Sequence, residues 1–256
     1  MMRNRIVRSC AMFAASLLAT AGFSAAASAT NFSIDTTGPG DWAWIDGSVG
    51  SINGTVNVAS EGVSEGAAIG RINLHGLRSD TNAIGDLAVF CVDVKDWLGN
   101  GVFVEKPLSY FTQGTGGAQV LYSATQIHDM FKYLVYAQQQ GITNPLTSAA
   151  TQLGIWEILN ESGTSWNLTS GNFTASLWSG PDAVSLANNW LGNFQQTSTA
   201  GYQLHMLDPG HGNQLQAFTT QGPNVPEPAT WGMIVVGFGM LGTAMRRRGK
   251  AGEALA

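Results

Sequence analysis

Apolar residues alternate with polar ones in several short segments between residues 45 and 104, the pattern of half-buried β-strands. The segment from Gly50 to Val58, for example, places Ile52, Val56 and Val58 at even positions. Residues 85–94 are instead almost continuously apolar, which predicts a central strand covered on both faces. Further strands are predicted over residues 67–77, 102–104, 201–207 and 214–220.

The apolar spacing becomes helical in the middle of the chain. It predicts helices over residues 120–140, over about 148–160, where Thr147 or Ser148 could cap the first turn, and over 181–194, with Pro181 in the first turn. Because strands precede and follow these helices, the sequence predicts an α+β fold, a β-rich body with a helical insertion at about 118–195.

The N-terminus has the pattern of a secretory signal peptide. Arg3, Arg5 and Arg8 precede an apolar run from Ala11 to Phe23, and Ala27-Ser28-Ala29 fits a cleavage site. We therefore expect removal of residues 1–29, the alternative being an uncleaved signal anchor. The exported part, residues 30–221, is long enough for one domain with its own core.

The C-terminal segment, residues 222–256, combines three elements in a fixed order. Pro226-Glu227-Pro228 is followed by an uncharged apolar run over 229–245 and then by Arg246, Arg247 and Arg248. A helix over 229–245 would be roughly 25 Å long, slightly less than a ~30 Å hydrocarbon core. The arginines favour the cytoplasmic side, so everything before Pro226 is expected outside. A plain membrane anchor and a buried hydrophobic helix are the alternatives.

This combination resembles the PEP-CTERM sorting signal of Gram-negative bacteria. The resemblance implies recognition by the membrane protease exosortase and attachment to the membrane through the C-terminal helix before processing. It also implies export across the inner membrane to the cell surface or to an exopolysaccharide matrix. It says nothing about residues 30–224.

Charge and motifs narrow the function classes. The chain has a net charge of −5, and residues 30–224 hold fifteen acidic but five basic residues. Such a segment repels nucleic acid, so no nucleic-acid partner is expected. His205 and His211 flank a turn that could bind a metal but is better explained as a hairpin. With no metal-ligand or phosphate-loop pattern, we expect neither a metal nor another cofactor.

One cysteine needs an explanation. Cys10 leaves with the signal peptide, so Cys91 is alone in an oxidising compartment and cannot form an internal disulfide. It is a buried inert thiol, an intermolecular bridge or a reactive group. The predicted strand places Cys91 and Asp93 on one face.

Gln152 is the second unusual residue. The predicted helix places it on one stripe with Trp156 and Leu159, facing the core, where an unsatisfied amide costs roughly 1–3 kcal/mol. A chemical explanation is an internal thioester: the thiol of Cys91 attacks the carboxamide of Gln152 and expels ammonia. Trp156, one turn later, could shield the bond from water.

The segments Phe90-Cys91-Val92-Asp93 and Thr151-Gln152-x-x-x-Trp156 resemble the two motifs of the thioester domains of bacterial surface adhesins. Gly154 stands where that family usually has alanine. The resemblance implies a Cys91–Gln152 thioester, supported by Asp93, that couples covalently to amines of a host or matrix surface. Such a protein reacts once, so we do not expect an enzyme with turnover.

Two other functions stay open. One is a non-covalent structural or polysaccharide-binding matrix protein with an inert Cys91. For this function Trp42 and Trp44 could stack on sugars, although these tryptophans are better explained as anchors of the N-terminal segment. The other is a secreted hydrolase, for which the sequence offers no motif.

Overall fold

A computed structural model describes residues 32–113, 121–163, 165–210 and 212–222. The predicted signal peptide and the predicted membrane helix over 229–245 lie outside these ranges. Within them, no helix combines the length and the apolar character that crossing a bilayer requires.

The larger sheet is antiparallel and has seven strands: β1 Ser33–Asp35, β2 Trp42–Ile45, β5 Ile72–Arg78, β6 Ala83–Cys91, β7 Val102–Glu105, β9 Tyr202–Asp208 and β10 Gln216–Gln221. Their order across the sheet is β1-β7-β9-β10-β6-β5-β2. Strand β1 pairs with both β7 and β5, so six of the strands form a closed ring, and β2 lies beside β1 along the same edge of β5.

The second sheet has three strands in the order β4-β3-β8, with bounds Val63–Gly70, Ser51–Val58 and Phe173–Leu177. Four helices complete the described structure: α1 (Leu108–Gln113), α2 (Ala124–Gln140), α3 (Pro145–Asn160) and α4 (Ala183–Leu191). Every residue of α3 from Ser148 to Leu159 is buried. A helix that is apolar on all sides belongs in the interior, and α3 packs against α2, α4 and both sheets.

The structure confirms the α+β prediction and corrects its details. The insertion at about 118–195 is not purely helical, because β8 lies within it and pairs with β3, Phe173 opposite Val58. The predicted strand at 67–77 is two strands, β4 and β5, that belong to different sheets. Helix α1 was not predicted.

The predicted ends of two elements that carry candidate site residues were wrong. Helix α3 is capped by Asn144 rather than by Thr147 or Ser148. The Asn144 side chain accepts a hydrogen bond from the amide of Thr147, and Pro145 starts the helix with its φ already set. Strand β6 ends at Cys91, and only its last three residues are buried, so it is not covered on both faces along its length.

Candidate functional site

The structure brings Cys91 and Gln152 together although 61 positions separate them in the chain. Cys91 is the last residue of β6, and Gln152 lies in the middle of the buried helix α3. The backbone amide of Cys91 donates to Oε1 of Gln152 at 2.9 Å, and Nε2 of Gln152 donates to the Cys91 carbonyl oxygen at 2.8 Å. Both polar ends of the buried glutamine are therefore satisfied by the backbone of one residue.

The thiol of Cys91 has other partners. It donates to Oε1 of Gln214 at 2.6 Å, and Nε2 of Gln216 lies 3.7 Å from the sulfur. Strand β10 places Gln216 directly opposite Cys91. Sequence reasoning missed both glutamines. The signal that could have found them is their two-residue spacing at the start of a predicted strand, because the spacing puts two amides on one strand face.

Asp93 supports this arrangement from beyond the end of β6. The prediction that Cys91 and Asp93 share a strand face is not met, because the strand stops at Cys91. Instead the Asp93 carboxylate accepts hydrogen bonds from the amides of Leu215 at 2.7 Å and Asp96 at 3.1 Å. Its backbone carbonyl accepts from Nε2 of Gln214 at 2.6 Å. Asp93 thereby holds the start of β10 against the segment that follows Cys91.

Burial controls the electrostatics of both titratable groups. It raises the pKa of the Cys91 thiol well above its ordinary value; the hydrogen bond from Gln216 opposes this shift and the nearby Asp93 carboxylate adds to it. Burial also raises the pKa of Asp93 to about 7, against the hydrogen bonds from Leu215 and Asp96. The thiol is therefore protonated at neutral pH, as its hydrogen bond to Gln214 requires.

Trp156 is the residue for which the sequence predicts a shielding role. It is one turn after Gln152 in α3, only 3% exposed, and its ring centroid is 6.2 Å from that of Phe173. Trp156 and Cys91 line the same cavity of about 180 Å³, with Trp44 and Trp97 also in its lining. The indole N–H of Trp156 has no hydrogen-bond partner among the described residues.

The two N-terminal tryptophans, Trp42 and Trp44, lie in different surroundings. Trp42 stacks on His75 with ring centroids 5.2 Å apart, and its strand pairs with β5, which fits the expected anchoring role. Trp44 is 68% exposed and lines the cavity. The nearby Asp46 is buried and paired with Arg71 at 2.7 Å.

Of the two histidines at the suggested metal turn, the structure describes His205. Its Nδ1 forms a 2.8 Å hydrogen bond with Oε1 of Glu105, and its Nε2 forms one of 2.8 Å with Oγ1 of Thr220. His211 lies outside the described residues. Across the ranges the structure covers, no three histidine, cysteine or acidic side chains converge on a possible metal position.

Sorting information lies in the C-terminal residues. Residues 224–248 match the PEP-CTERM protein-sorting motif. The match covers Pro226, Glu227, Pro228 and the arginines 246–248, and it supports an exosortase substrate exported to the cell envelope or surface. Neither a curated protein nor a solved structure matches the chain significantly.

Proposed function

We propose that this exosortase substrate is a surface or matrix protein whose domain forms an internal thioester between Cys91 and Gln152. The thioester then couples once to an amine-bearing surface, such as an amine of a neighbouring protein or of the exopolysaccharide matrix. The protein is consumed by this single acyl transfer and has no turnover.

One observation carries the proposal: the carbonyl oxygen of the Gln152 amide accepts a hydrogen bond from the backbone N–H of Cys91. This bond polarises the amide and holds its carbon beside the residue that bears the nucleophile. The same N–H is available to stabilise the negative charge that develops on the oxygen during attack. A buried site also excludes the water that would hydrolyse the product.

The reaction balances without a further reagent. The sulfur of Cys91 forms a bond to the side-chain carbonyl carbon of Gln152, and the bond from that carbon to nitrogen breaks. The thiol proton leaves with the nitrogen as ammonia. Coupling then forms a carbon–nitrogen bond to the amine, breaks the carbon–sulfur bond and returns a proton to the thiol.

Intact-mass measurement of the purified protein tests the proposal. We expect a mass lower than that of the processed sequence by one ammonia, an adduct after treatment with methylamine, and neither change in Cys91→Ala or Gln152→Ala. Gln139→Ala, which changes an exposed glutamine of α2, should retain both. A mass equal to that of the plain sequence, with a thiol that alkylates once unfolded, would falsify the thioester.

A specific observation also favours a second function, a non-covalent structural or polysaccharide-binding matrix protein. The amide of Gln152 is satisfied by the Cys91 backbone, and the thiol bonds Gln214, so the buried polar groups need no chemistry to explain them. The same mass measurement distinguishes the two functions, because an inert Cys91 predicts no loss of ammonia.

A further inference from the structure

The ring of six strands is split along part of its wall. Strands β9 and β10 pair over six residues and β5 and β6 over seven, whereas β10 and β6 pair at only two positions, the last of them Ala217 opposite Phe90. The next hydrogen bond of that ladder would join the amide of Thr219 to the carbonyl of Ala88. Neither group has a partner among the described residues. Beyond Ala217 the two strands therefore diverge.

A cavity of about 710 Å³ lies at this split, within the roughly 300–1,000 Å³ of pockets that hold small ligands. We call it the ring cavity. Its lining comes from both sides of the split and from the ends of neighbouring strands, and includes Phe32, Arg78, Leu87, Glu105, His205 and Phe218. It shares no lining residue with the cavity of Cys91 and Trp156.

Strand pairing places the ring cavity inside the ring, away from the thiol. Leu87 precedes Cys91 by four positions on β6, so the two side chains share a sheet face roughly 13 Å apart along the strand. Gln216 lies opposite Cys91, and Phe218, two residues later on β10, lies opposite His205. Leu87, Phe218 and His205 therefore occupy the interior face that also bears the thiol, but towards the other end of the ring.

The charged groups of the ring cavity are already paired with one another. Arg78 donates from Nε and Nη2 to the carboxylate of Asp80, at 3.0 and 2.7 Å, and from Nη1 to the backbone carbonyl of Asp86 at 2.8 Å. Nδ1 of His205 lies 2.8 Å from Oε1 of Glu105. An acidic ligand would meet two carboxylates and no free cation, and a basic ligand would meet the guanidinium. The cavity therefore favours a neutral ligand.

The hydrogen-bonding groups that are left over suit hydroxyls. Oε2 of Glu105 is an acceptor with no partner among the described residues. At the split, the amide of Thr219 is a free donor and the carbonyl of Ala88 a free acceptor. Because a hydroxyl both donates and accepts, it can bond both backbone groups, whereas a hydrocarbon would leave them unsatisfied.

The rest of the wall is apolar. The rings of Phe32 and Phe218 pack edge to face with centroids 5.7 Å apart, and Leu87 and Ala88 continue this surface along β6. A pyranose ring has an apolar C–H face and hydroxyl groups around its edge. An apolar wall with a few hydrogen-bonding groups beside it matches that distribution.

We propose that the ring cavity binds a neutral saccharide. The C–H face of the sugar lies against Leu87 and Phe218, and its hydroxyls bond Glu105 and the free backbone groups of Thr219 and Ala88. The site does not depend on the proposed thioester. It deepens the second function, non-covalent polysaccharide binding, by giving it a location and a ligand class. Because the two sites lie at different ends of the ring, one molecule can hold a sugar at one end while Cys91 reacts at the other.

Saturation-transfer NMR on the purified protein measures this binding. The probes are the methyl glycosides of glucose, galactose and mannose, each compared with the uronic acid and the amino sugar of the same configuration. We expect transfer to at least one neutral glycoside, with an affinity about tenfold above that of its charged relatives. Absence of transfer to every neutral glycoside, or tighter binding of a charged relative, would overturn the inference.

Two variants block the ring cavity from different positions. Leu87→Trp fills it from the interior face and should lower the affinity about tenfold or more. Leu77→Trp is the matched control, since Leu77 of β5 is 47% exposed and lies outside the lining. Ala88→Trp, at an exposed position beside the split, is the second blocking variant in case the first does not fold. Unchanged affinity in a blocking variant that melts cooperatively would also contradict the proposal.

The result is independent of the test of the thioester. Cys91→Ala should bind the glycoside as the unmodified protein does, and Leu87→Trp should still lose ammonia if the thioester forms. Sugar binding without ammonia loss retains the ring cavity alone, and ammonia loss without sugar binding retains the thioester alone.

Discussion

The thiol of Cys91 donates a 2.6 Å hydrogen bond to the side-chain oxygen of Gln214, a residue 123 positions later in the chain. Three glutamine amides contact Cys91: those of Gln214 and Gln216 contact the sulfur, and that of Gln152 contacts the backbone. Gln152 and Gln214, whose side-chain oxygens both accept from Cys91, differ in one respect that matters for acyl transfer. The oxygen of Gln152 is held by an N–H donor that persists when the thiol loses its proton, whereas the donor of Gln214 is the thiol itself.

This difference predicts which glutamine forms the thioester. We expect peptide mapping of the purified protein to find the crosslink between Cys91 and Gln152. Gln214→Ala should still lose ammonia, although more slowly because its thiol is no longer oriented, and Gln152→Ala should not. If Gln152→Ala loses ammonia and Gln214→Ala does not, the acyl group belongs to Gln214.

Gly154 has a packing reason to be glycine. A Cβ at this position would collide with the phenol ring of Tyr133, which is fully buried and donates a 2.8 Å hydrogen bond to the carbonyl of Ala150. Overpacking of this kind costs about 1–3 kcal/mol, more than the roughly 1 kcal/mol that alanine gains over glycine in a helix. The ring of Tyr133 thus explains why position 154 holds glycine rather than alanine.

We therefore expect Gly154→Ala to lower the free energy of unfolding by up to about 2 kcal/mol in urea titration. Gly192→Ala is the matched control, since its Cβ would meet other atoms only at 3.5 Å or more, which is ordinary contact. A Gly154→Ala variant that is as stable as the control would show that Tyr133 can move aside.

The residue types, together with the resemblance to the two thioester-domain motifs, indicated that Cys91 and Gln152 lie close together, and the structure joins the Gln152 amide to the Cys91 backbone. The thioester between them stays a prediction. The residue types were not enough to predict Gln214 and Gln216. These residues reach Cys91 through the pairing of β10 with β6, and nothing in a single sequence states which distant strands pair. The alternation of apolar and polar residues over 214–220 predicts a strand but not the strand with which it pairs.

The same limit applies to β8 and to the cavity that Cys91 and Trp156 line. Phe173–Leu177 is short and lies after a polar stretch, and it is a strand because β3 offers an edge. The cavity is built from several separate segments, so its lining could not be predicted from any one of them. The helical spacing within α2 and α3, by contrast, is local, and both helices were predicted with errors only at their ends.

Trp156 is expected to protect the thioester from water. Trp156→Ala enlarges the cavity that Trp156 and Cys91 both line, so hydrolysis should leave a carboxylate at position 152 and a free thiol, visible as a mass gain of one water over the thioester form. Trp156→Phe keeps most of the ring and should hydrolyse more slowly than Trp156→Ala. Equal half-lives for the unmodified protein and Trp156→Ala would contradict a shielding role.

The buried carboxyl of Glu157 makes stability depend on pH. Its Oε1 accepts a 2.5 Å hydrogen bond from the amide of Asn167, but its Oε2 has no partner among the described residues. Burial raises the pKa of Glu157 to about 8, against the hydrogen bond from Asn167 and with a smaller contribution from the charge of Glu161. The folded state thus prefers the protonated acid, as it does for Asp93, whose pKa is about 7.

The sign of the effect follows from proton binding. Between an unfolded pKa of about 4.5 and the folded pKa of about 8, the folded state holds a proton at Glu157 that the unfolded state lacks, so stability falls as pH rises. We expect urea titrations from pH 5 to pH 9 to show this decline, and Glu157→Gln, which carries no proton to lose, to make it shallower. Asp80→Asn is the control: Arg78 lowers the pKa of Asp80, so its contribution is lost only in acid, below this window. An unchanged slope in Glu157→Gln would mean that Asp93 and other groups cause the decline.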